Sequence, residues 1–190
     1  MALKTLVKVG SVTNLSDARY CAGMGVDLLG FRTVQGQENF VSSKQFQEIR
    51  GWVSGPQIVA EIYGLKTIDE LNTIIENYRP DYLELTPEEL RIAGSVITLP
   101  FILTLDSGAD LPAPTLDPAY VLIPHNATHL ERLLPDHNVL IMAETMDQVN
   151  AAITGTDITG IALNGSPEIR PGLKDFDDLA QILESLETDA

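Results

Sequence analysis

The sequence predicts a small (β/α)8 barrel, the TIM-barrel class of α/β proteins, and three observations carry that prediction. Short apolar runs rich in β-formers recur eight times along the chain. Helix-capping sequences stand at the ends of most of them. The G-x-G-x-x-G turn that an open doubly wound sheet carries after its first strand is absent.

The runs are LVKVGSV (6–12), DLLGFRTV (27–34), QIVAEIY (57–63), DYLELT (81–86), FILTLD (101–106), AYVLI (119–123), NVLIMA (138–143) and GIALN (160–164). Near-continuous apolar strands of this kind belong to parallel sheets covered on both faces. Capping pairs follow in register: Ser42 with Gln45, Thr67 with Glu70, Thr86 with Glu89 and Thr145 with Gln148 fit the S/T-x-x-E/Q box. Pro87 takes the first helical position after Thr86, and Asn14 with Asp17 and Asp175 with Asp178 are weaker relatives of the same signal. Helical spacing then puts Ile68, Leu71, Ile74, Ile75 and Tyr78 on one core stripe, and Leu179, Ile182, Leu183 and Leu186 on that of the last helix. The exception is SGADLPAPTLDPA (107–119), where Pro112, Pro114 and Pro118 predict a loop in place of the fifth helix.

A chain of 190 residues, 44% of them hydrophobic, is long enough for one substantial core, so one barrel domain is expected over 1–190. The net charge of −15 repels polyanions, and no basic patch offsets it, which argues against a nucleic-acid partner. No apolar run approaches the roughly 20 residues that cross a bilayer, and MALKTLVKVG enters strand-like sequence at once, so a cytoplasmic protein without a membrane partner is expected. Cys21, the single cysteine, excludes an intramolecular disulfide and reads as a small buried hydrophobe on the first helix. His125 and His129 stand four apart, with His137 nearby, but no third ligand of suitable type is local; neither a metal nor a cofactor is expected. Trp52, in GWVSGP near a helix end, reads as ordinary core, or as part of an apolar surface patch if the protein is purely structural.

Several fragments align, in order and spacing, with one family. KVGSVTNLSDA matches KICGITNxxDA, GVDLLGF matches GADxxGF, FVSSKQFQEI matches YVSPEQAxxI, and EIRPGLKD matches E-x-x-PGxKD. The chain thereby resembles phosphoribosylanthranilate isomerase, the small barrel of tryptophan biosynthesis that catalyses an Amadori rearrangement of a phosphoribosylated anthranilate. The resemblance implies a site at the C-terminal mouth of the barrel, with a cysteine at the end of strand 1 as general base and an aspartate at the end of strand 6 as general acid. Those positions fall on Gly10 and Pro124, whose side chains have no proton to move. A positioned acid or base is worth roughly 10²–10⁴-fold, so the loss of both removes most of the chemistry. His125 is one residue further on and points to the other face of the strand.

The binding positions implied by the resemblance are altered as well. The family's carboxylate-binding arginine falls on Asn39, and the glutamine and histidine of its fourth strand fall on Glu84 and Thr86. The phosphate-holding glycines after strand 7 become AETM, with Glu144 and Thr145, and the Gly-rich loop after strand 6 has no counterpart. A carboxylate about 5 Å from a phosphate dianion is repelled by roughly 6 kcal/mol at an effective dielectric near 20, against about 2 kcal/mol of attraction from a helix N-terminus. Glu144 therefore spoils that subsite unless its side chain turns away or is protonated. In NGSPE (164–168), Gly165 and Ser166 either offer backbone donors to an anion or merely make the turn.

Side-chain alternation sets Lys8, Glu84, Thr86 and Asn164 inside the barrel near its top, with Glu61, Thr104 and Asp106 beside them. Two readings of this cluster stay open: an ion-pair network that plugs the mouth, or a cation site built from Glu61, Glu84 and Asp106. Three functions stay open with them. The first is an isomerase-like barrel that has lost the ancestral activity, a pseudoenzyme toward that substrate, and binds or acts on another small metabolite, phosphorylated or not, at its mouth. The second is a genuine isomerase using substitute acid and base groups. The third is a non-catalytic structural or interaction protein. The sequence sets no oligomeric state.

Overall fold

Eight parallel strands close on themselves in the order of the sequence, as the eight apolar runs predict. The computed structural model describes residues 2–109, 116–128, 130–165, 168–170, 173–174 and 177–188. The strands are β1 (Leu6–Gly10), β2 (Leu28–Arg32), β3 (Gln57–Glu61), β4 (Tyr82–Leu85), β5 (Phe101–Thr104), β6 (Tyr120–Pro124), β7 (Val139–Met142) and β8 (Gly160–Asn164). β1 meets β8 in a five-residue register running from Leu6 opposite Gly160 to Gly10 opposite Asn164. A Cβ on Gly160 would lie 2.2 Å from the Leu6 carbonyl oxygen, so a glycine is what lets the last strand close on the first.

Alternation along each strand divides the apolar residues between two layers. Inside the barrel lie Leu28, Val59, Ile102, Leu122, Leu140 and Ala162, with Tyr82, Tyr120 and Met142 packed against them. Residues of opposite parity, such as Val7, Val9, Leu29, Phe31, Ile58, Ala60, Leu83 and Leu103, pack outward beneath the helices. Phe31, Phe46 and Tyr78 interlock there, with ring centroids 5.1 and 5.2 Å apart, and the Tyr78 hydroxyl donates to the Val41 carbonyl. Cys21 is buried in this outer layer, as its setting predicts.

The helices are α1 (Leu15–Gly23), α2 (Ser43–Arg50), α3 (Ile68–Tyr78), α4 (Pro87–Ala93), α5 (Leu130–Leu133), α6 (Met146–Gly155) and α7 (Asp177–Ser185). Every predicted cap within the described residues forms. Asn14, Ser42, Thr67 and Thr145 each accept from the backbone N–H three residues on, and Thr86 with Glu89 completes a reciprocal capping box. Asp175, of the remaining pair, lies outside the described residues. Leu71, Ile74 and Tyr78 of α3 and Leu179, Ile182 and Leu183 of α7 are buried, while Ile68, in the first turn of α3, is exposed.

Four features depart from expectation or extend it. Trp52 is not core: it is 71% exposed, because α2 ends at Arg50 and the chain turns inward only at Val53. Residues 105–109 and 116–119 carry no helix, and the intervening 110–115 lie outside the described residues. The helix after β6 is a single turn. After β8 comes an unforeseen antiparallel pair, β9 (Glu168–Arg170) and β10 (Leu173–Lys174). Among the described residues no helix is long and apolar enough to cross a membrane.

Candidate functional site

At the C-terminal end of the barrel the inward positions change from apolar to ionic. Lys8, two residues before the end of β1, extends between two carboxylates, 2.9 Å from Glu61 of β3 and 2.7 Å from Glu84 of β4. All three are buried. Arg32, the last residue of β2, approaches Glu61 from above, its Nε 3.0 Å from Oε2 and 3.2 Å from the Ser11 hydroxyl. Its guanidinium lies over the Tyr63 ring, 4.7 Å from the centroid. The Tyr63 hydroxyl donates to Glu84 and lies 2.9 Å from Thr104 Oγ1. Two cations and two carboxylates thus balance, which is the condition under which buried charge is tolerated.

Glycines make room for this cluster. A Cβ on Gly10 would lie 2.5 Å from Glu61 Oε1 and 2.8 Å from Lys8 Nζ, and a Cβ on Gly30 would lie 2.2 Å from the same carboxylate oxygen. Beyond Gly10 the chain enters a left-handed conformation at Ser11, φ 52°, a strained region for a residue with a side chain. There the Ser11 N–H faces both Glu61 oxygens at 3.2 Å.

The environment tunes each charge differently. Burial alone would raise the Glu61 pKa, but Lys8, Arg32 and the Ser11 N–H together bring it below the ordinary carboxylate value. Burial, with the charge of Glu61, raises that of Glu84 despite Lys8 and Tyr63. Burial disfavours the Lys8 ammonium, yet the two carboxylates outweigh it and hold its pKa above the ordinary lysine value. Tyr63 is pushed well above the usual phenol range by burial and by the neighbouring Glu84 and Glu61.

The structure gathers only part of the predicted set. Lys8, Glu61 and Glu84 come together, and Thr104 joins them through Tyr63. Thr86 does not; its hydroxyl and N–H go to Glu89 at the start of α4. Asp106 is exposed, because the chain leaves the barrel after Thr104. The cation site of Glu61, Glu84 and Asp106 is therefore not assembled: Lys8 stands between the two glutamates, and no group of three His, Cys, Asp or Glu placed to hold a metal occurs among the described residues.

The other expected positions lie around the rim. Asn39 is exposed at φ 60° in the loop after β2, and Asn164 is exposed at the end of β8. Glu144 is exposed, and its N–H donates to Gln148 Oε1 at 2.7 Å. The Gly165 N–H donates to the Gly10 carbonyl at 2.7 Å, while Ser166 and His129 lie outside the described residues. Pro124 ends β6 on the inward parity, and His125 turns away to sit 3.3 Å from Gln148, lining a cavity of about 310 Å³ with Leu130 and Ile141.

Sequence reasoning missed Arg32, Tyr63, Gly30 and Ser11. The first three carry a usable signal: Leu28, Gly30 and Arg32 alternate inward along β2, and Val59, Glu61 and Tyr63 along and just past β3. The left-handed turn at Ser11 has no such signal, since serine rarely adopts it.

No protein-family model matches the sequence. Over 202 aligned residues it is 24% identical to an N-(5'-phosphoribosyl)anthranilate isomerase of Xylella fastidiosa, covering 96% of this chain and 92% of that protein. The fold of a phosphoribosyl anthranilate isomerase from Thermus thermophilus superposes with a TM-score of 0.75 at 17% identity, covering 95% of this chain and 98% of the other. Another such isomerase, in complex with reduced 1-(o-carboxyphenylamino)-1-deoxyribulose 5-phosphate, gives 0.73 at 16% identity, covering 95% and 97%. In sequence along nearly its whole length and in fold, the chain is a phosphoribosylanthranilate isomerase-like barrel.

Proposed function

We propose that this barrel binds or acts on a small metabolite at its C-terminal mouth and does not carry out the Amadori isomerisation of its relatives. The observation that carries the reading is the occupant of the space above Gly10. That space is filled by the Glu61 carboxylate, whose oxygens face Lys8, Arg32 and the Ser11 N–H. A general base works best when its pKa lies near the operating pH, and these partners hold Glu61 below the ordinary carboxylate value. At the end of β6, Pro124 offers no proton, and the neighbouring His125 faces Gln148. That a related isomerase is known in complex with a small phosphorylated ligand supports a small-molecule mouth.

The test supplies purified protein with N-(5'-phosphoribosyl)anthranilate and follows its isomerisation, beside melting curves with a panel of sugar phosphates and carboxylic acids. No turnover above the solution rate is expected, together with a raised melting temperature for at least one compound. Turnover at ordinary enzymatic speed would overturn the reading. A second reading, in which Glu61 stands in for the missing thiol of a genuine isomerase, rests on the position of its carboxylate over Gly10 alone. On that reading Glu61→Gln abolishes a turnover that the unmodified protein shows.

A further inference from the structure

Several hydrogen-bond donors of the described residues around the mouth are already taken by the fold. The Ser11 N–H faces Glu61, the Gly165 N–H goes to Gly10, the Gly64 and Thr86 N–H groups go to Glu89, and the Glu144 N–H goes to Gln148. Lys8 is enclosed with its two glutamates. Arg32 differs from all of these. Its Nε faces Glu61 and Ser11 and its plane rests on Tyr63, yet its two Nη groups meet no acceptor among the described residues.

The same side chain is 29% exposed, whereas Glu61 beneath it is 2% exposed. A guanidinium gripped along one edge and stacked on an aromatic face is already ordered, so a ligand meeting its other edge loses little of the conformational entropy that an ordinary surface arginine gives up. That edge presents N–H donors spaced to match the two oxygens of a carboxylate or phosphate.

We propose that the free Nη edge of Arg32 is the docking point for an oxyanion, a carboxylate or a phosphate monoester, carried by the small molecule that enters the mouth. The inference rests on the proposed small-molecule reading of that mouth and names the chemistry its ligand must carry. The net charge of −15 is little obstacle, because charges beyond about 8 Å are largely screened at physiological ionic strength. Locally the cluster is balanced, and Glu84, whose proton affinity is already raised by burial and Glu61, is the carboxylate that most readily gives up its charge when an anion arrives.

The experiment is nuclear magnetic resonance on protein labelled with 15N at arginine, with the Arg32 Nε–Hε signal assigned through its bonds to the backbone. One arm titrates inorganic phosphate and the other acetate. A saturable shift of the Arg32 signal is expected, and the arm that saturates tells phosphate from carboxylate. Arg32→Lys keeps a positive charge beside Glu61 but lacks the planar fork, and binding at least about tenfold weaker is expected for it. An Arg32 signal that stays put in both arms, or equal binding by Arg32→Lys, overturns the proposal. Sugar phosphates that raise the melting temperature of Arg32→Lys as much as that of the unmodified protein would leave the small-molecule reading standing without it. A saturating Arg32 signal with no metabolite raising the melting temperature would do the reverse.

Discussion

The Glu61 carboxylate stands where a side chain on Gly10 would begin, 2.5 Å from the position of its Cβ. The bare end of β1 and the carboxylate reaching over it from β3 are therefore one feature. A side chain at residue 10 and the Glu61 carboxylate compete for the same space, so one of them must shift.

Gly10→Cys is accordingly expected to destabilise the protein by about 1–3 kcal/mol, as overpacking of a tight interior does. In a Glu61→Ala background the same change should be better tolerated, with a coupling of about 0.5–3 kcal/mol between the two sites. Urea denaturation of the four proteins measures this. Simple additivity would show that the two residues do not share the space.

Lys8→Met leaves Glu61 and Glu84 facing each other without their common cation. Removing one partner of a buried ion pair costs about 3–5 kcal/mol, and that loss is expected in the denaturation midpoint. Combining it with Glu84→Gln leaves Arg32 paired with Glu61, takes away the uncompensated charge and should recover much of the deficit. A double variant no better than Lys8→Met alone would contradict the network.

Stability should fall on the alkaline side. The unfolded chain releases the Tyr63 and Lys8 protons near 10.0 and 10.5, whereas the folded chain holds both beyond those values. The native state then binds more protons than the unfolded one, so unfolding free energy drops as pH rises through this range. Tyr63→Phe should make that slope shallower. On the acid side the glutamates oppose each other. Glu61, with its pKa below 4.5, stabilises above that value and loses its contribution as pH falls through the folded pKa. Glu84, with its pKa above 4.5, makes stability decline as pH rises from 4.5 through its raised pKa, and Glu84→Gln should remove that decline.

Trp52 is 71% exposed. Its fluorescence should resemble that of tryptophan in water and be quenched freely by acrylamide, and Trp52→Ser should change stability by no more than about 0.5 kcal/mol. A blue-shifted, protected emission would show that another surface covers it.

The barrel was legible because most strands announce themselves twice, by an apolar run and by the capping residue that follows it. Thr86 with Glu89 and Thr145 with Gln148 mark where β4 and β7 hand over to helices. Alternation correctly put Lys8 and Glu84 inside, but it fails where a strand ends, which is why Asp106, extrapolated past Thr104, stands in solvent instead. Trp52 was misread for a related reason: a helix terminus faces no fixed direction, and composition alone suggested burial. The approach of Glu61 to Gly10 spans β1 and β3, which are not neighbours, and depends on Gly30 lacking a side chain between them. Such a relationship lives in three dimensions and has no pattern within any one strand.

The apolar floor formed by Leu28, Val59, Ile102, Leu122, Leu140 and Ala162 makes the barrel a blind well, with its charges held near the rim. With that floor beneath it, the Lys8 ammonium, 1% exposed, is expected to exchange its hydrogens on the side where Arg32 stands 29% exposed. Whatever settles on that guanidinium acts as a stopper. The lifetime of the Lys8 hydrogens against exchange is thus a built-in gauge of whether the well is corked.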